Sequence, residues 1–497
     1  MNNKETLLGI RRGIEKESLR ALPGGGLALT PHPIALGSAL THPHITTDYS
    51  ESQVELITGV HAGVDDCLRE LTEIHQAVYR ALADERLWVS SMPCGLPTDE
   101  TIPIGRYGSS NVGRAKSVYR MGLGQRYGRR MQTISGIHYN WSLPGVSTEG
   151  YFGAIRNFRR EGWLLLYLFG ASPALCESFV HDRDHGLQRL SEHSLYLPHA
   201  TSLRMGRLGY QSDAQSSIAV TYNCLESYAA SLQEALSRPY PAYEAIGVQT
   251  PGGDYNQLST CLLQIENEFY STIRAKRVIR SGERPLHALR ERGVEYIEVR
   301  LMDLDPFEPI GIGADAIRVL DAFLLHCLNG ASPDDTPGEI AANARNQHRV
   351  AARGREPGLM LEHWQGGERS LADWAGEILA GCASQAEALD AAHGGDAYRS
   401  ALSRVAERLQ RPELCPSARV LTAMDQDFDD SHIAFIRRQS DATRAALLAL
   451  PFPQALQQRF EKMAADSLAE QARIEAADTL DFEEFRRFYV APERMAV

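Results

Sequence analysis

Carboxylate side chains recur at alternate positions in two short segments of the sequence. Glu15 and Glu17 are two residues apart, and in a second segment Glu51 and Glu55 follow closely after Asp48. Alternate residues of a β-strand project from the same face, so each segment would place its carboxylates on one side of a sheet, with neighbours about 7 Å apart. Carboxylate oxygens in this arrangement are typical of a site that binds divalent cations.

A third segment adds an imidazole and two amides to this pattern. Gln132, His138 and Asn140 would share one face of a strand, and Gly136 on that face leaves room for a bulky group to approach. One imidazole among oxygen ligands suits Mg²⁺ or Mn²⁺, whereas zinc sites usually contain several Cys or His ligands. The residue types therefore predict a magnesium or manganese site.

A fourth segment places fixed positive charge beside a carboxylate. Tyr296, Glu298 and Arg300 alternate in a strand-like run, so a metal-type ligand would lie next to a guanidinium suited to phosphate. A further strand-like run, residues 264–270, leads into a local basic cluster in this acidic protein, and nucleotide phosphates are the natural partner of such a cluster. Its members are Arg274, Lys276, Arg277 and Arg280.

Each segment, taken alone, also fits an antiparallel strand with one solvated face and no active site. A single histidine such as His138 is more often a core residue than a ligand. Taken together, the four polar faces are better explained by bound cations, since carboxylates about 5 Å apart repel each other by roughly 3 kcal/mol at an effective dielectric of about 20. A metal-dependent hydrolase, and a metal- or nucleotide-binding regulator without turnover, remain open.

The common nucleotide and hydrolase motifs are absent from the sequence. There is no G-x-x-x-x-G-K-[ST], and Gly311-Ile312-Gly313 is too short for a dinucleotide fingerprint. H-E-x-x-H and G-x-S-x-G are missing as well. P-loop, Rossmann and common hydrolase mechanisms are therefore disfavoured.

The composition is that of an ordinary globular protein. With 497 residues, 43% hydrophobic and 23% charged, the chain exceeds the size at which one core usually stops growing, so one very large domain or two fused units are expected. The net charge of −12 disfavours nucleic acid and anionic membranes as partners. The eight cysteines form no C-x-x-C pair, which predicts reduced, mostly buried thiols and no zinc site, with a disulfide as the alternative.

The order of patterns along the chain predicts two unequal portions. Residues 1–330 alternate strand-like runs with loops and helices, including a hairpin loop at 23–26, and residues 331–497 show mainly helical spacing. We predict a catalytic α+β portion followed by a helical portion that packs on it and does not fold independently. The longest apolar run, 163–176, is too short to span a membrane and predicts a core helix. With no signal peptide apparent, a cytoplasmic protein is expected.

Several segments match motifs of one enzyme family, in that family's order. They are 13–20 (GIEKESLR), 46–51 (TTDYSE), 131–140 (MQTISGIHYN), 167–174 (YLFGASPA), 200–204 (ATSLR), 264–268 (QIENE), 280–283 (RSGE) and 293–300 (GVEYIEVR). The sequence resembles the proteobacterial glutamate–cysteine ligases, densely from about residue 8 to 330 and more weakly to the C-terminus. The resemblance implies a glutamine synthetase-like α+β fold, in which a curved antiparallel sheet of about six strands forms a metal-binding basket.

The resemblance also implies an activity and its ligands. In that family ATP phosphorylates the γ-carboxylate of L-glutamate, and the amine of L-cysteine then displaces phosphate, as the first step of glutathione biosynthesis. This implies a monomer with L-glutamate, L-cysteine and ATP as substrates, Mg²⁺ or Mn²⁺ as cofactor and glutathione as a feedback ligand. Glu51 has no assigned role, and the implied metal ligands are Glu15, Glu17, Asp48, Glu55, His138 and Glu298.

Substrate-binding roles follow from the same resemblance. Arg300 corresponds to a residue near the transferring phosphate, and Arg204 to one that orients a substrate carboxylate or phosphate. Tyr49 stands where relatives often carry Phe, and the loop after Pro144 is shorter than in some relatives, so a ligase for another small amine is the nearest alternative. The implied substrate pocket, for whose tyrosines core packing is the rival interpretation, comprises Tyr49, Tyr119, Gln132, Tyr210 and Tyr270.

Overall fold

The computed structural model describes residues 3–209, 213–216, 218, 220–280 and 282–495, which form twelve strands and seventeen α-helices. The strands are β1 (Arg11–Ala21), β2 (Ile45–Thr47), β3 (Gln53–Ile57), β4 (Arg86–Leu87), β5 (Ile137–Ser142), β6 (Ala174–Cys176), β7 (Gln188–Arg189), β8 (Ser194–Tyr196), β9 (Ile273–Lys276), β10 (Tyr296–Met302), β11 (Met360–Glu362) and β12 (Glu368–Ser370). The helices are α1 (Lys4–Leu8), α2 (Val64–Ala81), α3 (Asn111–Tyr127), α4 (Thr148–Glu161), α5 (Trp163–Phe169), α6 (Asp213–Ser216), α7 (Leu225–Ser237), α8 (Pro241–Ile246), α9 (Pro285–Arg292), α10 (Ala314–Asn329), α11 (Pro337–Arg353), α12 (Leu371–His393), α13 (Ala397–Gln410), α14 (Pro416–Asp427), α15 (His432–Ala449), α16 (Gln454–Ala477) and α17 (Phe482–Val490).

An antiparallel sheet forms the centre of the fold. Six strands follow the order β2-β3-β1-β5-β10-β9, and the short β4 pairs with the end of β1. The register places Glu17 opposite Glu55 of β3 and Glu15 opposite His138 of β5, while Glu298 of β10 lies opposite Asn140. The predicted α+β fold with an antiparallel sheet of about six strands is confirmed.

The two faces of this sheet differ because alternate residues of its strands differ in polarity. On one face Ile14, Tyr139 and Ile297 are fully buried, in the same apolar core as residues of α2, α4 and α10. Burying a large apolar side chain contributes about 1.5–3 kcal/mol, so the helices fix which face is covered. The other face carries Glu15 and Glu17 and is left to line a cavity.

The helices after residue 330 pack on the sheet-bearing part at several places. Helix α12 contacts α1 and α10, α15 contacts α2, and α17 contacts α3. Helix α16 approaches so closely that Ser467 Oγ accepts a hydrogen bond from the Ser38 amide at 2.9 Å, and a Cβ on Gly37 would lie 2.7 Å from the Ala464 backbone. The division at residue 330, and the dependence of 331–497 on the rest, stay predictions.

Residues 264–270 differ from the strand that their pattern predicted. They contain the 3₁₀ turn Glu266–Glu268, whose two carboxylates reach arginines on separate elements. One forms an ion pair with Arg284 at 2.6 Å and the other with Arg126 at 2.8 Å. These buried pairs hold the turn in a conformation that alternation alone cannot reveal. The strand expected from residue 132 likewise begins only at Ile137, after another 3₁₀ turn.

Other local predictions have mixed outcomes. The apolar run 163–176 is helical only as far as Phe169 and ends as β6, so the prediction of one core helix is wrong for its second half. The loop at 23–26 does close a hairpin, in which Ala21 bridges Leu27. No helix in the described ranges combines the length and apolarity needed to cross a membrane.

Cys94 and Cys176 form a disulfide, so the prediction of reduced thiols is wrong for this pair and the alternative is observed. The two residues are 82 positions apart, both are buried, and their Cα atoms lie 5.2 Å apart. They meet because β6 packs in the same apolar cluster as the segment after β4. Such a contact between distant segments leaves no signal in cysteine spacing.

Candidate active site

The polar face of the sheet is the floor of a cavity of about 1190 Å³. Helix α3 lines one side, and residues of α11 and α17 contribute to the remainder. A space of this size is sufficient for a nucleotide together with small substrates. All six predicted metal ligands line this cavity, and we name them the acidic basket: Glu15, Glu17, Asp48, Glu55, His138 and Glu298.

Strand pairing brings three members of the acidic basket into one cluster. Glu15, His138 and Glu298 each offer a ligand atom within 4.8 Å of the others. Glu15 Oε2 lies 3.2 Å from His138 Nδ1, and Glu17 Oε1 lies 3.6 Å from His138 Nε2. A cation bound here would have carboxylate ligands from β1 and β10 and an imidazole ligand from β5, the strand between them.

The opposite side of the acidic basket holds carboxylates that protein cations do not fully neutralise. The pKa of Glu55 is raised well above its ordinary range by burial and by repulsion from the carboxylates of Glu15, Asp48 and Glu17. Burial and Asp48 raise the pKa of Glu17 to about 8. Both shifts mean that the folded protein resists ionising these groups until positive charge arrives. Oxygen-rich ligands with one imidazole and unneutralised charge fit Mg²⁺ or Mn²⁺.

We expect Mg²⁺ to stabilise the protein more at about pH 8 than at about pH 6. The folded-state pKa of Glu17 is about 8, against an ordinary 4.5, so between these values the metal-free protein holds a proton that a bound cation must displace. Thermal unfolding with and without Mg²⁺ at each pH measures the difference, and protein treated with a chelator is the metal-free reference. A Mg²⁺-induced shift in melting temperature that does not grow with pH would contradict this.

Fixed cations cluster around Glu298 at one end of the cavity. Its carboxylate oxygens lie 3.0 Å from Lys276 Nζ and 3.0 Å from Arg300 Nη1, and Arg274 is 4.0 Å away. Burial alone would raise the pKa of Glu298, but Lys276 and Arg300 hold it well below its ordinary range. We name Arg274, Lys276 and Arg300 the cationic end; all three line the cavity.

The predicted basic cluster is therefore divided by the structure. Arg274 and Lys276 reach the cavity from β9. Arg277 and Arg280 are absent from the cavity lining and lie instead beside Glu295, at 3.8 Å, and Glu291, at 3.4 Å. A phosphate role for the latter two stays a prediction without a place in the cavity.

Arg204 explains why residue 136 is glycine. Its guanidinium packs against Gly136, the residue before β5, so a Cβ on Gly136 would lie 1.9 Å from Arg204 Nη2. That nitrogen donates to the Arg300 carbonyl at 2.9 Å, and Nη1 lies 3.7 Å from Asp303. The Gly136 amide donates to Glu17 Oε2 at 2.7 Å. The bulky group expected beside this glycine is thus a neighbouring arginine, which itself lines the cavity.

Gly136→Ala is expected to lower kcat/KM for the reaction at least about tenfold. The added methyl group must displace the Arg204 guanidinium, and a misplacement of about 1 Å can cost on the order of 100-fold in rate. Steady-state kinetics measures the effect. The matched control is Gly376→Ala in α12, where a Cβ meets nothing within 4 Å, so unchanged kinetics are expected there. Parent-like kinetics for both variants would refute the positioning of Arg204.

Aromatic and amide side chains form another part of the cavity lining. Gln132 Nε2 donates to Tyr270 Oη at 2.8 Å, which joins the 3₁₀ turn before β5 to the segment before β9. Tyr49 is 1% exposed, and its buried hydroxyl makes no hydrogen bond to any described residue. Tyr210 lies outside the described residues. We name Tyr49, Tyr119, Gln132 and Tyr270 the aromatic wall; all four line the cavity.

The arrangement can be compared with known proteins. A family model described as glutamate-cysteine ligase matches residues 1–350. The chain belongs to the glutamate–cysteine ligase family. The glutamate–cysteine ligases of Alcanivorax borkumensis and Azotobacter vinelandii are each 49% identical to it, over 97% and 98% of this chain and 96% of each relative.

Solved structures agree with this family assignment. The glutamate–cysteine ligase of Francisella tularensis, solved in complex with AMP, superposes with a TM-score of 0.93 at 34% identity, over 98% of this chain and 99% of that one. A bifunctional glutathione synthetase from Pasteurella multocida gives a TM-score of 0.73 at 24% identity, over 93% of this chain and 57% of its own, and supports the fold alone.

In this glutamate–cysteine ligase family member, the aromatic wall is held from behind by a network that the sequence did not indicate. The Tyr270 amide donates to Gln215 Oε1 at 3.0 Å, and Gln215 Nε2 donates to the Glu268 carbonyl at 2.9 Å. Tyr127 Oη donates to Glu268 Oε1 at 2.7 Å, and the same carboxylate is ion-paired with Arg126. The network fixes the segment that carries Tyr270.

Two cations of α3, Lys116 and Arg120, also line the family member's cavity and were missed by sequence reasoning. The strand period directed attention to segments in which polar residues alternate. On α3 the lining residues recur at 116, 119, 120 and 123, a helical spacing that was available in the sequence but equally fits a solvated helix face.

Proposed function

We propose that the chain catalyses ATP-dependent ligation of the γ-carboxylate of L-glutamate to the amine of L-cysteine through γ-glutamyl phosphate, the first step of glutathione biosynthesis. The observation that carries this proposal is the meeting of the acidic basket, the cationic end and the aromatic wall in one cavity, in a chain that belongs to the glutamate–cysteine ligase family. AMP bound to the Francisella tularensis relative supports an adenine nucleotide as a ligand of the same fold.

Each side of the cavity has a role in this reaction. Arg300, held 3.0 Å from Glu298, supplies a fixed positive charge for the phosphoryl group in transfer, and Lys276 and Arg274 extend that field along β9. Arg204, fixed by the Arg300 carbonyl, orients a substrate carboxylate or phosphate. Holding glutamate, ATP and the amine together replaces a three-body encounter and can supply roughly 7–11 kcal/mol.

Mg²⁺ or Mn²⁺ is the cofactor of this proposal, and the acidic basket would hold it. Such an ion would neutralise charge on the phosphate oxygens when bound. The basket's own residues do the rest: they fix the ions' positions, and their like charges disfavour the metal-free state. The ligand types do not distinguish Mg²⁺ from Mn²⁺.

The aromatic wall supports L-cysteine as the acceptor. Tyrosine hydroxyls and the Gln132 amide can bind a polar substrate, and ring faces can contact sulfur. The buried, unpaired hydroxyl of Tyr49 offers a hydrogen bond that a Phe would not. A ligase for another small amine is the nearest alternative; a hydrolase has less support because the cationic end serves phosphate transfer. A cytoplasmic monomer with glutathione feedback completes the proposal.

An acceptor screen tests the function. Phosphate release is measured with ATP, Mg²⁺ and glutamate, in the presence of cysteine, 2-aminobutyrate, other small amines or no amine. We expect γ-glutamylcysteine to form in equal amount to ADP and phosphate, with cysteine giving the highest kcat/KM. A higher kcat/KM with another amine would reassign the acceptor, and ATP-independent hydrolysis would refute the ligase function.

A further inference from the structure

Lys116 and Arg120 are two like charges one helical turn apart on α3, and both face the cavity. Neither forms an ion pair with a carboxylate of the described residues, and Lys116 Nζ makes no hydrogen bond to them either. Like charges four residues apart destabilise a helix, so this arrangement costs free energy in the ligand-free protein. The cost would be offset by an anion bound between them.

The other cavity-facing cations provide the contrast. Lys276 and Arg300 share Glu298 at 3.0 Å, and Arg204 lies 3.7 Å from Asp303. Those side chains are thus fixed by protein carboxylates before any ligand arrives. Within the described ranges, Lys116, Arg120 and Arg494 are the cavity-lining cations with no carboxylate within ion-pair distance. Arg120 and Arg494 donate hydrogen bonds to backbone carbonyls, whereas Lys116 Nζ donates none to these residues.

An aromatic platform holds the α3 cations in place. Lys116 Nζ lies 5.1 Å and Arg120 Cζ 4.5 Å from the centroid of the Tyr107 ring. The Tyr107 hydroxyl donates to the carbonyls of Thr47 at 2.8 Å and Asp48 at 2.9 Å, and Arg120 Nε donates to the same Asp48 carbonyl. Cation–π contacts of this kind fix the position of a cation without neutralising its charge.

The position of these cations relative to the sheet distinguishes between kinds of anion. They lie at the side of the cavity formed by Asp48 and β3, whereas the cationic end is on β9 and β10. Strands β3 and β10 are separated by β1 and β5, and three steps of about 4.8 Å place them roughly 14 Å apart. If ATP phosphates occupy the cationic end, the α3 cations face a different group.

We propose that Lys116 and Arg120 form a carboxylate-binding site that holds the α-carboxylate of an amino-acid substrate. The inference rests on the proposed ligase function and adds to it a site on α3. Both substrates of that reaction carry an α-carboxylate, so the chemistry is the same for glutamate and for cysteine. The experiment below distinguishes the two sources.

The test compares each substrate with its decarboxylated analogue in the parent and the Lys116→Gln protein. One arm uses glutamate and 4-aminobutyrate, which keeps the reacting carboxylate, and the other uses cysteine and cysteamine. We expect Lys116→Gln to reduce the preference for the carboxylate-bearing member, measured as a ratio of kcat/KM values, about 10- to 100-fold in one arm. The arm that changes identifies the bound substrate. KM for ATP should stay within about twofold, and Lys116→Arg should restore much of the preference.

Several outcomes would overturn the site. Both preference ratios unchanged, or a tenfold rise in KM for ATP, would exclude an amino-acid carboxylate as its ligand. A loss of thermal stability with unchanged kinetics would mean that Lys116 only offsets the charge of the acidic basket. Lys462→Gln, on the exposed surface of α16, is the control and should leave every ratio unchanged. Failure of the ligase function itself would appear separately, as absence of ATP-dependent product formation by the parent protein.

Discussion

The Glu298→Gln and Glu55→Gln proteins are each expected to turn over at least about 1000-fold more slowly than the parent. Each change removes a carboxylate from the acidic basket, and a metal-bound transition state that loses about 4 kcal/mol of stabilisation loses about a thousandfold in rate. Steady-state ADP release at limiting Mg²⁺ measures this. Near-normal turnover of either variant would exclude that residue as a metal ligand.

The same two changes are expected to shift the metal-free stability in opposite directions. Glu298 is stabilised as an anion by Lys276 and Arg300, so Glu298→Gln should lower the free energy of unfolding by about 1–3 kcal/mol. Glu55 has the reverse environment, because burial and three carboxylates raise its pKa. Keeping a carboxyl with an ordinary pKa of 4.5 protonated at pH 7 costs up to about 3 kcal/mol, which Glu55→Gln would recover.

The pH dependence follows from the sign of each shift. For Glu55 the folded-state pKa is raised, so the gain from Glu55→Gln is absent below about pH 4.5 and grows as pH rises toward the folded value. For Glu298 the folded-state pKa is lowered, so the loss is present above about pH 4.5 and disappears as pH falls below the folded value. Thermal unfolding in a chelator at several pH values measures both. Shifts of the same sign would contradict the described electrostatics.

A glutamate-derived sulfoximine is expected to inhibit the enzyme slowly, and only with ATP present. Phosphorylated in the cavity, it would mimic the tetrahedral state between acyl phosphate and amide, and such analogues bind 10²–10⁸-fold more tightly than substrates. Pre-incubation of the protein and inhibitor with and without ATP, followed by dilution and assay, measures this. Equal inhibition without ATP would remove the support for an acyl-phosphate route.

Arg300→Lys is expected to weaken that inhibition and slow turnover in parallel. A lysine ammonium can replace the charge, but it cannot reproduce the planar guanidinium that now binds Glu298 with one nitrogen and is left free to bind phosphate oxygens with others. A conservative control is Arg290→Lys, whose guanidinium contacts the Met495 carbonyl and Gln233 away from the cavity. If both variants retain parent-like inhibition, Arg300 has no role at the phosphoryl group.

The sheet and its acidic face were predictable because both depend on the period of two along a strand. The spacing of Glu15 and Glu17 is enough to predict that both project from one face of a strand. The register of the neighbouring antiparallel strand then places His138 opposite Glu15. The same rule gave a wrong prediction for residues 264–270, where Glu268 is held by an ion pair with the buried Arg126 and not by strand pairing. Local alternation cannot detect a partner 142 residues away.

Residues that act across elements were beyond the reach of local patterns. Gly136 signalled an approaching group, but only the fold shows that the group is Arg204. Lys116 and Arg120 look like an ordinary charged helix face until α3 is placed beside Asp48 and Tyr107. The disulfide between Cys94 and Cys176 depends on the same kind of long-range packing. In each case the missing information is which elements are neighbours.

The most direct test of carboxylate activation follows an oxygen atom. In the proposed route a γ-carboxylate oxygen of glutamate attacks the γ-phosphorus of ATP, ADP departs, and the amine then displaces phosphate from the acyl carbon, so that oxygen leaves with phosphate. Glutamate labelled with ¹⁸O in its γ-carboxylate is incubated with ATP, Mg²⁺, cysteine and the protein, and the released phosphate is analysed by mass spectrometry. We predict one ¹⁸O atom in each phosphate released. Unlabelled phosphate, with all label retained in glutamate or the peptide product, would contradict the γ-glutamyl phosphate intermediate.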